Sequence, residues 1–114
     1  MSKPAEYNAA GQGMKLDQGK VQWDLVPFAT LEGMARVLMF GAAKYDKHQW
    51  RNGMPHTQPF EALLRHLFAW QAGEDIDSDS LLPHLDHALC ELMFLRYFVQ
   101  NFPEMDNRFK AAKR

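Results

Sequence analysis

Cys90 is the only cysteine in the 114-residue chain, which excludes an intramolecular disulfide. It stands inside an apolar run, so a buried reduced thiol is the expected state. No uninterrupted apolar run reaches the roughly 18 residues that a membrane-spanning helix needs, and no membrane partner is expected. The first twenty residues are polar and lack a signal-peptide core; a cytoplasmic protein is the expectation. Charge of one sign is not in excess either. Thirteen Lys and Arg against fourteen Asp and Glu leave a formal net charge of -1, and the basic residues are scattered. Nucleic-acid binders carry a basic footprint, so no nucleic-acid partner is expected. Internal repeats and low-complexity tracts are absent. So are the phosphate-binding Gly-x-x-x-x-Gly-Lys-Ser/Thr loop, the dinucleotide fingerprint and the Gly-x-Ser-x-Gly elbow.

What is present suits a folded domain. Hydrophobic residues make up 46% of the chain and charged residues 24%, the balance of a globular protein. Residues 1–13 read as a polar arm, 14–102 as a single helical domain and 103–114 as a tail. A first helix is predicted from Pro27, with Phe28, Leu31, Met34, Leu38 and Ala42 recurring at helical steps. Gly41 is expected to loosen its last turn. Residues 46–58 read as a loop, marked by Asn52-Gly53 and Pro55. A second helix is predicted from Thr57 or Gln58, with Phe60, Leu63, Leu64, Leu67 and Trp70 as its apolar face and Gly73 as its stop. After the acidic loop 74–79, Ser80 is expected to cap a third helix, with Pro83 in the first turn. That helix runs to about Asn101 and is apolar nearly all round, with Leu89 in its core. A helix of that kind is covered by neighbours, and in so short a chain those include another subunit. No alternating strand pattern occurs. The expected fold is all-α: a bundle of about three to five helices in a homo-oligomer.

The chemistry-bearing residues cluster on the second and third helices. At ~100° per residue, His84, His87 and Glu91 project from one stripe of the third helix. His66 shares the azimuth of Leu63 and Trp70 on the second helix, so packing of the two helices brings it toward His84 and His87. Imidazoles suit transition metals and carboxylates suit Mg or Mn. The candidate metal set is therefore Glu74, Asp77, His84, His87 and Glu91, with His66 and His87 as candidate acid–base groups. The competing reading makes each histidine a satisfied core residue, and makes Asp77 and Asp79 charges that favour a helix N-terminus. Lys20, Lys44 and Arg65 are candidate phosphate contacts. Tyr45 and Trp50, in or beside a loop, are candidate stacking faces for a base.

The order of short motifs carries a further signal. KLDQGKVQWDLVP (15–27), LEGMARVLMFGAAKY (31–45), HQWRNG (48–53), RHLFAWQAGEDID (65–77) and LPHLDHALCELMFL (82–95) together resemble a phage-associated family, the dATP/dGTP diphosphohydrolase N-terminal family. The resemblance covers residues 14–99. It implies nucleotide metabolism in a virus or prophage, and kinship with the all-α MazG-like pyrophosphohydrolases. Those enzymes cut between the α- and β-phosphates, using Mg or Mn held by acidic residues on paired helices. The family pattern marks Asp17, Gly19, Lys20, Gly41, Lys44, Tyr45, Trp50, Arg65, His66, Glu74, Asp75, Asp77, His84 and His87. One departure stands out: His84-x-x-His87 occupies the place where the MazG-like motif has an acidic pair.

The resulting expectation is a phage-type protein that hydrolyses purine (deoxy)nucleoside triphosphates with Mg or Mn, acting in the host cytoplasm. The alternatives are a non-hydrolytic protein that sequesters a host nucleotide or immune signal, and a nucleoside monophosphate kinase-like protein.

Overall fold

The computed structural model describes residues 18–112. Its framework is three helices, α1 (Phe28–Lys44), α2 (Thr57–Gln71) and α3 (His84–Asn101); short 3-10 turns precede α1 (Trp23–Leu25), join α1 to α2 (Gln49–Asn52) and follow α3 (Pro103–Met105). The described residues contain no strand, only an isolated bridge between Ile76 and Pro83. The fold is all-α. The arm 1–13 and Asp17 lie outside the described residues.

Pro27 stands immediately before α1, where its missing amide proton costs nothing. The helix runs through Gly41 without a break. It ends where Tyr45 turns extended, with the Tyr45 amide donating to the Gly41 carbonyl at 2.8 Å. At the other end of α2, Gly73 takes φ +97°. The Gly73 amide donates to Trp70 O and the Glu74 amide to Ala69 O. This pair of bonds is the Schellman closure, and it needs a residue free to adopt the left-handed conformation. It also fixes where the Glu74 side chain leaves the helix.

The start of α3 corrects the sequence expectation in two respects. Ser80 does not cap the helix, and Pro83 lies just before its first residue rather than in the first turn. The chain between α2 and α3 closes on itself instead. The Asp77 amide donates to Leu82 O, and the His84 amide donates to Asp75 O. That backbone pairing leaves Ser80 in the turn, with its hydroxyl facing α3 rather than the helix N-terminus.

α3 packs against both α1 and α2. Val37, Ala88, Cys90 and Phe98 form the buried apolar core. Phe98 is 0% exposed and is ringed by Trp50, Phe94, Tyr97 and Phe102. Leu89 is only half-buried, so the deepest position on α3 is Phe98. Beyond α3 the chain folds back over the start of α2. There the buried His56 donates from its amide to Met105 O at 3.1 Å, and its Nε2 donates to Phe102 O at 2.9 Å. Phe60, Leu67, Phe68, Trp70, Leu85, Leu92 and Val99 remain exposed, leaving apolar surface on both α2 and α3 uncovered.

Two helical glycines separate packing from propensity. A Cβ on Gly33 would overlap the Asp86 carboxylate, whereas a Cβ on Gly41 would meet nothing within 4 Å. Gly33→Ala forces the Asp86 carboxylate to swing aside, so alanine's helical gain is expected to be offset and the unfolding free energy to stay unchanged or fall, by up to about 1 kcal/mol. Gly41→Ala is expected to raise it by about 0.5–1 kcal/mol, the usual gain of alanine over glycine inside a helix. Urea unfolding measures both, and equal shifts in the two variants would contradict the close α1–α3 approach.

Candidate active site

The side chains of α2, α3 and the connecting loop meet in a cluster of three imidazoles. His66 and His87 stack face to face, with centroids 4.5 Å apart and planes within 9°. His66 Nδ1 lies 2.9 Å from His84 Nδ1, and His84 Nε2 lies 2.7 Å from Glu74 Oε1. A carboxylate accepts only, so His84 Nε2 is the donor to Glu74. Within the Nδ1 pair one ring must donate to the other. With that proton on His66 Nδ1, His66 Nε2 is left as a bare lone pair.

The second imidazole is held by a parallel device. The Ser80 hydroxyl donates to Asp77 Oδ2 at 2.9 Å, and the Ser80 amide donates to the same oxygen at 3.0 Å. Ser80 Oγ also lies 2.6 Å from His87 Nε2. Having given its one proton to Asp77, the hydroxyl can only accept from His87, so His87 carries its proton on Nε2 and a lone pair on Nδ1. His66 Nε2 and His87 Nδ1 have no hydrogen-bond partner, and among the described residues no fully buried side-chain nitrogen or oxygen lacks one. Both nitrogens therefore reach solvent.

The electrostatics keep this pair neutral. Burial lowers the His66 value below the ordinary 6.5, helped by His87 and His84 and opposed by Asp77. Burial likewise lowers His87, against the pull of Asp77. Burial pushes Asp77 up, but the Ser80 amide and hydroxyl bonds and the nearby imidazoles outweigh it and hold the carboxyl below its ordinary value.

A cavity of about 540 Å³ adjoins the cluster, a size that accommodates a small-molecule ligand. Lys44, Tyr45, Trp50, His87 and Glu91 all contribute to its wall, as do Gly41 and Cys90. Trp50 is anchored by Phe94 at 4.7 Å and Tyr97 at 4.9 Å between ring centroids, so one part of it packs the core while another lines the cavity. Lys44 pairs with Asp79 at 3.7 Å. Burial pushes the Cys90 thiol up to about 12, which makes it inert packing. Burial also pushes Glu91 up to about 7, against the opposing charge of Arg65.

The structure thus brings His66, His84 and His87 together with Glu74 and Asp77, and places Lys44, Tyr45, Trp50, His87 and Glu91 around one cavity. Arg65 and Lys20 are exposed and contribute nothing to the cavity wall. The donor types of Glu74, Asp77, His84, His87 and Glu91 suit a divalent ion, but their positions do not form a ready site: among the described residues no three His, Cys, Asp or Glu side chains are grouped to hold a metal ion. Sequence reasoning missed the role of Ser80. Ser80 lies in the loop before α3, where helical spacing gives a side chain no direction, and only the loop closure brings it within bonding distance of His87.

The opposed titrations give a test. His66 and His87 bind protons less readily folded than unfolded, so their contribution to stability is full above 6.5 and lost as pH falls below it. Glu91 runs the other way: its raised value favours the folded chain below the ordinary 4.5, and that advantage disappears as pH rises to about 7. Glu91→Gln removes only the second effect. Its melting temperature relative to the natural chain should climb between pH 4.5 and 7 and level off above. A difference that does not vary with pH would contradict the burial of Glu91.

Comparison with known proteins agrees with the motif order. A family model described as dATP/dGTP diphosphohydrolase, N-terminal, matches residues 10–108. A dATP/dGTP diphosphohydrolase of Salmonella phage PMBT28 is 34% identical over 100 residues, covering 88% of this chain and 34% of that protein. The chain therefore spans about a third of the length of that relative. No solved structure matches. With residues 10–108 of its 114 covered by the family model, the chain belongs to the dATP/dGTP diphosphohydrolase N-terminal family.

Proposed function

We propose that this chain binds purine deoxynucleoside triphosphates in the cavity beside the imidazole cluster and hydrolyses them. The observation that carries the reading is the meeting, at one cavity, of exposed Lys44, the aromatic faces of Tyr45 and Trp50, and a neutral His87 with a solvent-facing lone pair. Lys44 supplies positive charge for phosphate oxygens. His66 Nε2 or His87 Nδ1 takes a proton from the attacking water. From His66 the proton passes through the Nδ1 contact to His84, and Glu74 stabilises the charge that results. Lys20 and Arg65 serve this reading only if nucleotide binding draws them in.

Mg or Mn enters this scheme as the counter-ion of the nucleotide, part of the substrate. Among the described residues no three His, Cys, Asp or Glu side chains are grouped to hold a metal ion, and the steps above use the chain's own side chains. Kinship with MazG-like pyrophosphohydrolases, action in host cytoplasm and assembly into a homo-oligomer belong to the same proposal. The oligomer is supported by the uncovered apolar surface that includes Phe60, Phe68, Trp70, Leu92 and Val99, because surfaces of that kind are seldom left in water.

A second reading, capture without cleavage, is favoured by a specific observation. In the place of the acidic pair, His84 and His87 both spend Nε2 on protein partners. A protein built this way holds a nucleotide and returns it intact.

Incubation with dGTP or dATP and Mg or Mn separates the two. Hydrolysis predicts release of pyrophosphate or phosphate. It also predicts that His66→Gln lowers turnover by ~10²-fold or more while nucleotide binding changes much less. Tight binding with the nucleotide recovered intact supports capture. Failure of every such nucleotide to bind at micromolar concentration ends both readings.

A further inference from the structure

Glu91 is the group in the cavity wall that the proposed chemistry leaves unused. It lies one helical turn beyond His87 on α3, so the two side chains leave the same face. Unlike His84 and His87, it makes no hydrogen bond and no ion pair within 4 Å among the described residues; only the more distant charge of exposed Arg65 acts on it. It is half-buried and lines the cavity opposite α1. A carboxyl withdrawn from water without a protein partner is costly, and a ligand that supplies donors would offset that cost. Lys44 and Lys47, both exposed, also line this cavity. The arrangement thus has cations toward solvent and a sheltered carboxyl farther in, with Trp50, Phe94 and Met54 supplying apolar wall. A nucleotide has the same polarity: phosphates at one end, and a flat base with hydrogen-bonding edges at the other.

The shape of the carboxylate says which edge it fits. Burial lifts the carboxyl to about 7, but two N–H donors favour its ionised form; both oxygens then accept, and their spacing matches the adjacent N1–H and N2–H donors of guanine. Adenine presents a donor at N6 beside an acceptor at N1, a pattern that a side-chain amide matches and a carboxylate does not. Resting on the reading that this cavity holds a purine nucleotide, we propose that Glu91 is the base-reading residue and that its carboxylate selects guanine over adenine.

Gly41 provides an independent probe of the cavity. It lines the same wall, and a Cβ there would meet no atom within 4 Å. Its lack of a side chain is not demanded by protein packing, so Gly41→Leu fills cavity space rather than core.

The experiment is calorimetric titration of the full chain with the non-hydrolysable α,β-methylene analogues of dGTP and dATP in Mg. Circular dichroism checks that each variant is folded. Glu91→Gln is expected to weaken the guanine analogue by ~10-fold or more while the adenine analogue holds or improves, inverting the preference. Gly41→Leu is expected to weaken both analogues together. If Gly41→Leu weakens both but Glu91→Gln leaves their ratio unchanged, or lowers both alike, base reading by Glu91 is overturned and the cavity assignment stands. If Gly41→Leu affects neither analogue, or neither binds the natural chain, the cavity assignment fails and takes the inference with it.

Discussion

The arrangement of this domain turns on one hydrogen-bonded assembly: Glu74 to His84 to His66, stacked on His87, which leans on Ser80 and Asp77. Three imidazoles packed together are unfavourable if charged, because each would repel the others in a partly desolvated space. The two flanking carboxylates and the serine resolve this by assigning protons. Each ring has a partner that dictates which nitrogen donates, and the lone pairs left over point to solvent. The same bonds tie α2, α3 and the intervening loop into one unit, so local order and chemical readiness share a cause.

The loop between α2 and α3 is as important as the helices. The glycine-based closure at the end of α2 sets Glu74, and the Asp77–Leu82 and His84–Asp75 backbone pairing sets Ser80 and the first turn of α3. Pro83 lies where it needs no amide proton. An acidic segment that in isolation would be a solvated turn instead places the Glu74 and Asp77 carboxylates beside His84 and His87. On the other side of α3, the short 3-10 turn containing Trp50 is pinned by aromatic contacts to Phe94 and Tyr97. Trp50 thereby joins residues of α1 and α3 in the wall of the cavity.

The three-helix unit is incomplete as a hydrophobic object. Its best-buried apolar side chain, Phe98, belongs to an aromatic cluster at one end, while much of the outer side of α2 and α3 remains in contact with water. Small domains gain little burial per residue, and this one leaves a substantial apolar surface uncovered. Half-buried Leu89 illustrates the consequence: its position on an all-apolar helix reads as core, yet a single chain shields it only in part.

The amino-acid sequence by itself determined the three helices, because apolar spacing, Pro27 and Gly73 mark faces and ends through local sterics alone. It also placed His84, His87 and Glu91 on one stripe, since helical geometry converts spacing into direction. It did not reveal that Ser80 serves His87 instead of a helix end, that Lys20 and Arg65 do not line the cavity, or that Glu91 makes no hydrogen bond among the described residues. Those outcomes depend on how a loop closes and how helices cross, and these are set by contacts between residues far apart in the chain. Local propensity ends at the helix termini; the alignment of one ring over another is decided only when separate segments compete for the same space.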